Sequence, residues 1–256
     1  MAGALDGKTA IVTGGGRGLG YGIATELAKA GAQIALLEID ADSADTAAAN
    51  MADLGVKARP YTVDVSDSSQ VNDAFAAVNE DFGSLDIAVN NAGISRVGPM
   101  TVDCTDEDWA DSVAVMQTGV FYCMRAAGRI MISQGSGSVI NIASIRGFSP
   151  NPGRISYCAP KAAVIMMTHV AAGEWGPHGV RINAIAPGFL RTPMWDADVA
   201  RGEIDEAAYI DAVPARRLGL PSDVGQLAVY LASDSSSYVN GTCVTIDGGT
   251  TSLPLA

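Results

Sequence analysis

The chain has 256 residues, 48% of them hydrophobic, and a mean hydropathy of +0.21, a size that suits one large α/β domain. Its formal net charge of −12 comes from 16 basic and 28 acidic residues; the acidic ones are scattered, which argues against nucleic acid or an anionic membrane as a partner. Its apolar runs are strand-length, and none approaches the roughly 20 residues that span a bilayer.

In chain order, the N-terminal MAGALDGKTAIVTG lacks a basic segment leading into an apolar core, so no signal peptide is expected. Short β-branched runs then alternate with longer helical patterns. The predicted strands are Lys8–Thr13, Gln33–Glu38, Ala58–Asp64, Leu85–Asn90, Ser138–Ile142, Val180–Ile185 and Cys243–Ile246. The predicted helices are Tyr21–Ala30, Ser43–Leu54, Ser69–Phe82, Thr105–Ser133, Tyr157–Trp175 and Pro221–Ala232. This alternation implies right-handed βαβ crossovers and a doubly wound, Rossmann-like parallel sheet with helices on both faces. Strands that read as continuous apolar runs (AIV, IALL, VINI) fit doubly buried positions. No linker, repeat or low-complexity segment interrupts the pattern, so residues 1–256 are expected to form a single domain. The four cysteines, Cys104, Cys123, Cys158 and Cys243, lie far apart and match no metal-ligand spacing. Reduced thiols in a cytoplasmic protein, with no metal site, are the expectation.

Ligands of such folds bind beyond the carboxyl ends of the strands, so the residues just after each strand are the candidates. The first strand runs into Thr13-Gly14-Gly15-Gly16-Arg17-Gly18-Leu19-Gly20 and then a helix. Glycines at such a turn let backbone approach a pyrophosphate, and the helix N-terminus supplies N–H groups and positive dipole. The strict G-x-G-x-x-G frame is absent; the loop reads T-G-x-x-x-G-x-G instead. At the end of the second strand, Glu38 can accept both adenosine ribose hydroxyls and would repel a 2′-phosphate. At an effective dielectric of about 20 and a separation of about 5 Å, that repulsion amounts to a few kcal/mol. Arg17 pulls the other way, but no Arg or Lys follows Glu38 directly, so NAD is expected in preference to NADP.

Tyr157 and Lys161 stand four apart at the start of a helical pattern and so share a face. Pro160 is tolerable in a first turn, which puts Tyr157 at the helix mouth. A free tyrosine titrates near ~10, and an acid/base at working pH needs a shift of ~3 units, or ~4 kcal/mol. One positive charge ~4 Å away at an effective dielectric of ~20 supplies about that much, so Lys161 alone is expected to suffice. Ser144 ends the GSVINIAS strand, where its hydroxyl can hold a substrate oxygen beside the phenol.

Together these segments resemble the non-extended short-chain dehydrogenases/reductases, and the resemblance covers nearly the whole chain. It rests on TGGGRGLG, Asp64–Val65, Asn90-Asn91-Ala92-Gly93, Ser144, Tyr157 with Lys161, NAIAPG with Thr192 downstream, and YVNGTCVTIDGG. It implies a secondary alcohol/ketone oxidoreductase in which Ser144, Tyr157 and Lys161 are catalytic. It also implies that Gly14, Arg17, Gly18, Leu19, Gly20, Glu38, Asp64, Val65, Asn91, Ala92, Gly93, Tyr157, Lys161, Pro187, Gly188, Leu190 and Thr192 contact the cofactor. Asp64 and Val65 would meet the adenine, Lys161 would also grip the nicotinamide ribose, and Pro187 to Thr192 would hold the carboxamide. The family usually forms homotetramers through the two long central helices. One position departs from its pattern: the helix commonly carries V-N-x-x-G-x-F, with the asparagine anchoring a proton-relay water, whereas this chain has Met116 there. A thioether donates nothing, so activity is expected to survive with a weakened or rerouted relay.

Substrate specificity is expected from Ile94–Val97, Ile145–Ser156 and an acidic stretch from Phe189 to Pro214 that reads as a mobile helical lid. Trp195 either folds over the ligand or packs between helices. Arg96, Arg146 and Arg154 fall near the mouth, where they either receive an anionic group or remain solvated or paired with lid carboxylates. His169 and His178 lie away from the site. The resemblance points to a polyol or sugar-like substrate, with a 3-oxoacyl thioester as the alternative. A catalytically weak NAD-binding protein and an epimerase or dehydratase are the readings from other classes.

Overall fold

The computed structural model describes residues 3–94, 98–202 and 204–252. Seven parallel strands run in the order β3-β2-β1-β4-β5-β6-β7. They are β1 (Thr9–Thr13), β2 (Gln33–Glu38), β3 (Ala58–Thr62), β4 (Ile87–Asn90), β5 (Gly137–Ile142), β6 (Val180–Pro187) and β7 (Cys243–Ile246). The helices are α1 (Gly18–Lys29), α2 (Ala41–Ala52), α3 (Ser68–Phe82), α4 (Asp106–Val113), α5 (Val120–Gln134), α6 (Ile155–Trp175), α7 (Pro193–Ala200), α8 (Glu206–Ala212) and α9 (Pro221–Ala232).

Strand periodicity divides the core into two layers. Ala10, Val12, Ile34 and Leu36 point to the layer covered by α1, α2 and α9, while Ile11, Ala35 and Leu37 point to the layer of α3, α5 and α6. Central strands therefore read as unbroken apolar runs because both of their faces are covered. The edge strand β3 is largely exposed and carries Arg59 and Pro60, residues that blunt an open edge. Among the described residues no helix is long and apolar enough to cross a membrane.

The strand order reverses between β1 and β4, and this opens a crevice at their carboxyl ends. Three local expectations are corrected. The single helix expected over Thr105–Ser133 is α4 and α5 joined through a π-helical turn, Ala114–Gly119. That turn puts one extra residue into the helix, and Met116 within it is 1% exposed. The strand expected to reach Asp64 ends at Thr62, and the backbone turns through Asp64–Asp67 into α3. Finally, α6 begins at Ile155, so Pro160 lies in its second turn rather than its first.

Candidate active site

The crevice is built by two loops clamped together through Thr13. Its Oγ1 accepts from the backbone N–H groups of Asn91 (2.9 Å) and Ala92 (3.0 Å). The Asn91 side-chain amide donates back to the carbonyls of Thr13 (3.0 Å) and Gly14 (3.2 Å). Gly14 and Gly18 adopt φ of +63° and +57°, a region that L side chains disfavour. A Cβ on Gly20 would lie 2.0 Å from the Gly14 carbonyl oxygen, whereas one on Gly18 would meet nothing within 4 Å. Backbone is thus packed tightly behind the loop and open in front of it. The N-cap of α1, Arg17, is extended and makes no side-chain cap, which leaves the first N–H groups of α1, including those of Leu19 and Gly20, to face an anion.

Glu38 is 6% exposed. Its carboxylate bridges the glycine loop and the turn after β2, accepting from Gly16 N (3.2 Å) and Ile39 N (3.0 Å). Arg17 pairs with Asp40 at 3.8 Å through a largely exposed guanidinium. After β3, Asp64 Oδ1 accepts from the backbone and hydroxyl of Ser66 (2.9 and 2.7 Å), and buried Val65 packs where a Cβ on Gly119 would stand. A glycine cradle with open space in front, a free helix N-terminus and a buried ribose-height carboxylate fit a dinucleotide.

Ser144 lies two residues beyond β5 and is 6% exposed. It caps the short 3-10 turn Ile145–Gly147, its Oγ accepting from Arg146 N at 3.1 Å. Tyr157, in the first turn of α6, stands near enough for the Ser144 hydroxyl to lower its pKa. Lys161, one turn further on and 5% exposed, has its ammonium 5.8 Å from the Tyr157 ring centroid. That ammonium donates to the Ile142 carbonyl at 2.8 Å. The three predicted catalytic side chains are therefore brought together.

Their electrostatics differ from the expectation that Lys161 alone tunes the phenol. Burial holds Tyr157 above the ordinary phenol value, and the nearby Ser144 hydroxyl, Arg154 and Arg146 pull it down. Burial also lowers Lys161 to about 8, because a desolvated ammonium with one carbonyl partner is poorly compensated. At neutral pH Tyr157 is therefore held as the phenol, while Lys161, at about 8, keeps most of its charge.

Beyond β6, Pro187 ends the strand and Gly188 N donates to Ile246 O at 2.9 Å. A Cβ on Gly188 would stand 2.7 Å from that of Asp247. Leu190 bridges to Gly219, and Thr192 caps α7 by accepting from Trp195 N at 3.3 Å. Trp195 is a packing residue: its ring lies 5.1 Å from Tyr209 and 6.4 Å from Phe189, and its Nε1 donates to Glu206 at 3.0 Å. Phe189 and Tyr209 stack edge-on at 4.8 Å. The stretch expected as a lid is α7 and α8 with their flanks. Of the three mouth arginines, Arg146 and Arg154 are partly buried and act on Tyr157, while Arg96 lies outside the described residues. His169 and His178 are exposed on α6 and the turn after it.

Sequence reasoning missed the buried polar ladder behind the site. Asn90 and Asn141 are register partners on β4 and β5; Asn90 Nδ2 donates to Asn141 Oδ1 (2.8 Å), and Asn141 Nδ2 donates to Thr168 Oγ1 (2.9 Å). The available signal was one asparagine in each of two apolar strands, at positions that a parallel register aligns. Cys123 and Cys243 are free, with thiols pushed up by burial to about 12 and about 11. Among the described residues no cluster suits a metal ion.

A doubly wound sheet with this crevice and glycine turn defines a dinucleotide-binding α/β enzyme. A family model described as enoyl-(acyl carrier protein) reductase matches residues 14–251. Gluconate 5-dehydrogenase of Gluconobacter oxydans is 38% identical over 96% of both chains. The 3-oxoacyl-(acyl-carrier-protein) reductase of Thermotoga maritima is 36% identical over 96% of this chain and 98% of its own. The solved structure of an NAD+-bound xylitol dehydrogenase superposes with a TM-score of 0.92 at 32% identity, covering 96% of this chain and 99% of the other. The chain belongs to the short-chain dehydrogenase/reductase family and is an oxidoreductase acting on CH–OH groups.

Proposed function

We propose that this protein oxidises a secondary hydroxyl of a polyol or sugar-like substrate to the ketone, with NAD as acceptor. The observation that carries the reading is the convergence of Ser144, Tyr157 and Lys161 at the carboxyl end of β5, with the Lys161 ammonium behind the Tyr157 ring and the Ser144 hydroxyl acting on the phenol. Ser144 holds the substrate oxygen. The Tyr157 oxygen takes the hydroxyl proton during oxidation and returns it during reduction. Lys161 lies behind the ring, where its charge favours the phenolate and its ammonium can reach a ribose hydroxyl.

The pyrophosphate would lie on Gly14, Arg17, Gly18, Leu19 and Gly20, the adenosine ribose on Glu38, and the adenine beside Asp64 and Val65. Asn91, Ala92, Gly93, Pro187, Gly188, Leu190 and Thr192 would line the nicotinamide half. An oxidised nicotinamide supplies the hydride acceptor and a positive charge near the phenol. The preference for NAD follows from Glu38, whose buried carboxylate opposes a 2′-phosphate, while Arg17 is turned to Asp40. Relatives that act on gluconate and xylitol support the substrate class. The alternative, 3-oxoacyl-thioester reduction, is supported by the Thermotoga maritima relative.

Residues 189–214 serve as the substrate lid of a single catalytic domain. The protein acts in the cytoplasm without nucleic acid or membrane partners. It assembles as a homotetramer through α5 and α6, which expose Phe121, Met166 and Val170. Light scattering on the purified protein tests the assembly.

The activity test follows NAD- and NADP-linked turnover across polyols, sugar acids, simple secondary alcohols and acetoacetyl thioesters, with Tyr157→Phe as control. NAD-linked turnover of a polyol or sugar acid that vanishes in the variant is the expected result. Equal turnover in the variant would overturn the catalytic assignment, and NADPH-linked thioester reduction would install the alternative.

A further inference from the structure

Among the described residues, the arginines around the lid are paired, whereas the two at its mouth are not. Arg191 pairs with Glu206 (2.5 Å) and Asp196 (3.7 Å), and Arg217 pairs with Asp223 (2.7 Å). Arg201 pairs with Asp198, and Arg216 with Asp211. Arg146 and Arg154 make no ion pair among the described residues. Neither position is incidental to the phenol. Arg146 follows Ser144 by two residues and donates its backbone N–H to the Ser144 hydroxyl. Arg154 is the N-cap of α6, and its carbonyl accepts from Tyr157 N at 3.1 Å.

The Arg146 side chain is held in place before any ligand arrives. Its Nη1 donates to the Ser149 carbonyl at 3.0 Å, and its guanidinium lies 5.5 Å from the Phe189 ring centroid, over the aromatic cluster of the lid. These contacts leave the Nε–Nη2 edge, the edge that grips a carboxylate with two parallel hydrogen bonds. Burial lowers the pKa of Arg146 below the ordinary arginine value, and the like charge of Arg154 lowers it further. A desolvated cation beside a second cation gains most from an arriving anion.

We infer that Arg146 and Arg154 form a carboxylate-binding subsite, and that the substrate is a polyhydroxy acid carrying its carboxylate a few carbons from the reacting hydroxyl. The inference rests on the reading of the protein as a polyol or sugar-type dehydrogenase and narrows its substrate to the anionic members. The bound carboxylate sits between Arg146 and Arg154, and the uncharged hydroxylated chain extends to Ser144 and Tyr157.

The test compares kcat/KM of the wild type, Arg146→Gln and Arg154→Gln on aldonates of four to six carbons, the matching alditols, and glucitol 6-phosphate. The wild type should prefer an aldonate to its alditol by about tenfold or more, with the preference reduced by added salt. In Arg146→Gln that ratio should fall about ten- to a hundredfold, chiefly through KM of the aldonate. Arg154→Gln should lower it in the same direction, which keeps the test open should one variant fold poorly.

Equal or better use of alditols, best use of the phosphate ester, or proportionate losses on both substrate types would overturn the carboxylate subsite. In each of these cases NAD-linked polyol oxidation would still stand. Absence of nicotinamide turnover by the wild type on all three classes would overturn the dehydrogenase reading and this inference together.

Discussion

The Lys161 ammonium is anchored on the Ile142 carbonyl, 2.8 Å away, inside the protein rather than in solvent. The lysine four residues after Tyr157 is therefore fixed to the end of β5, the same strand that delivers Ser144. Its cost is desolvation, which lowers its pKa from 10.5 to about 8.

That cost is measurable as stability. In the unfolded chain the ammonium keeps its proton up to the ordinary lysine value, so the folded state carries the full penalty below about pH 8 and loses it as pH rises to 10.5. Lys161→Met should abolish turnover yet raise Tm by roughly 2–6 °C near neutral pH. The gain should shrink as pH is raised, and thermal melts across the alkaline range will read it. A lower Tm for the variant at neutral pH would mean that the Ile142 hydrogen bond outweighs the desolvation.

Ser144→Ala removes the proposed substrate-oxygen contact and a hydroxyl that pulls the Tyr157 pKa down. Turnover should fall by about a hundredfold or more. The residual alcohol-oxidation profile should move to higher pH, because phenolate is the active form and burial then acts with less opposition. A profile that stays in place would show that Ser144 positions substrate without tuning the phenol.

Glu38→Ser deletes the carboxylate held by Gly16 N and Ile39 N. The NAD-to-NADP ratio of kcat/KM should fall about ten- to a hundredfold, and adding Asp40→Asn, which frees Arg17, should lower it further. Cofactor titrations by nicotinamide fluorescence will separate affinity from rate. An unchanged ratio would remove Glu38 from the ribose site.

Met116 is buried in the π-turn, and its side chain passes under Gly93, with Cγ 3.6 Å from where a Cβ would stand. Met116→Asn should raise kcat a few-fold by restoring a polar relay partner. It should also lower Tm, since a buried amide costs about 1–3 kcal/mol where its hydrogen bonds are incomplete. An unchanged rate and pH profile would mean that Lys161 exchanges its proton by another route.

Much of the fold is legible in the sequence because its signals are local. Period-2 alternation between the two core layers, unbroken apolar runs in the covered strands and glycines at the first strand-to-helix turn all act over a few residues. The spacing of Tyr157 and Lys161 is likewise set by one turn of helix. Effects that depend on distant neighbours were not legible. The π-turn at Ala114–Gly119 is packed against Val65, far away in sequence, which a Cβ on Gly119 would approach to 3.0 Å. The upward shift of Tyr157 is a desolvation imposed by surrounding elements, and no motif records it. Whether Arg146 and Arg154 would be neutralised by the lid was open until α7 and α8 were placed, since the lid carboxylates could as well have reached them. Sequence by itself determined the family, the sheet and which side chains are candidates for catalysis. Tertiary structure decided which charges beside them find no ion-pair partner among the described residues, because pairing and burial are through-space quantities that sequence order does not contain.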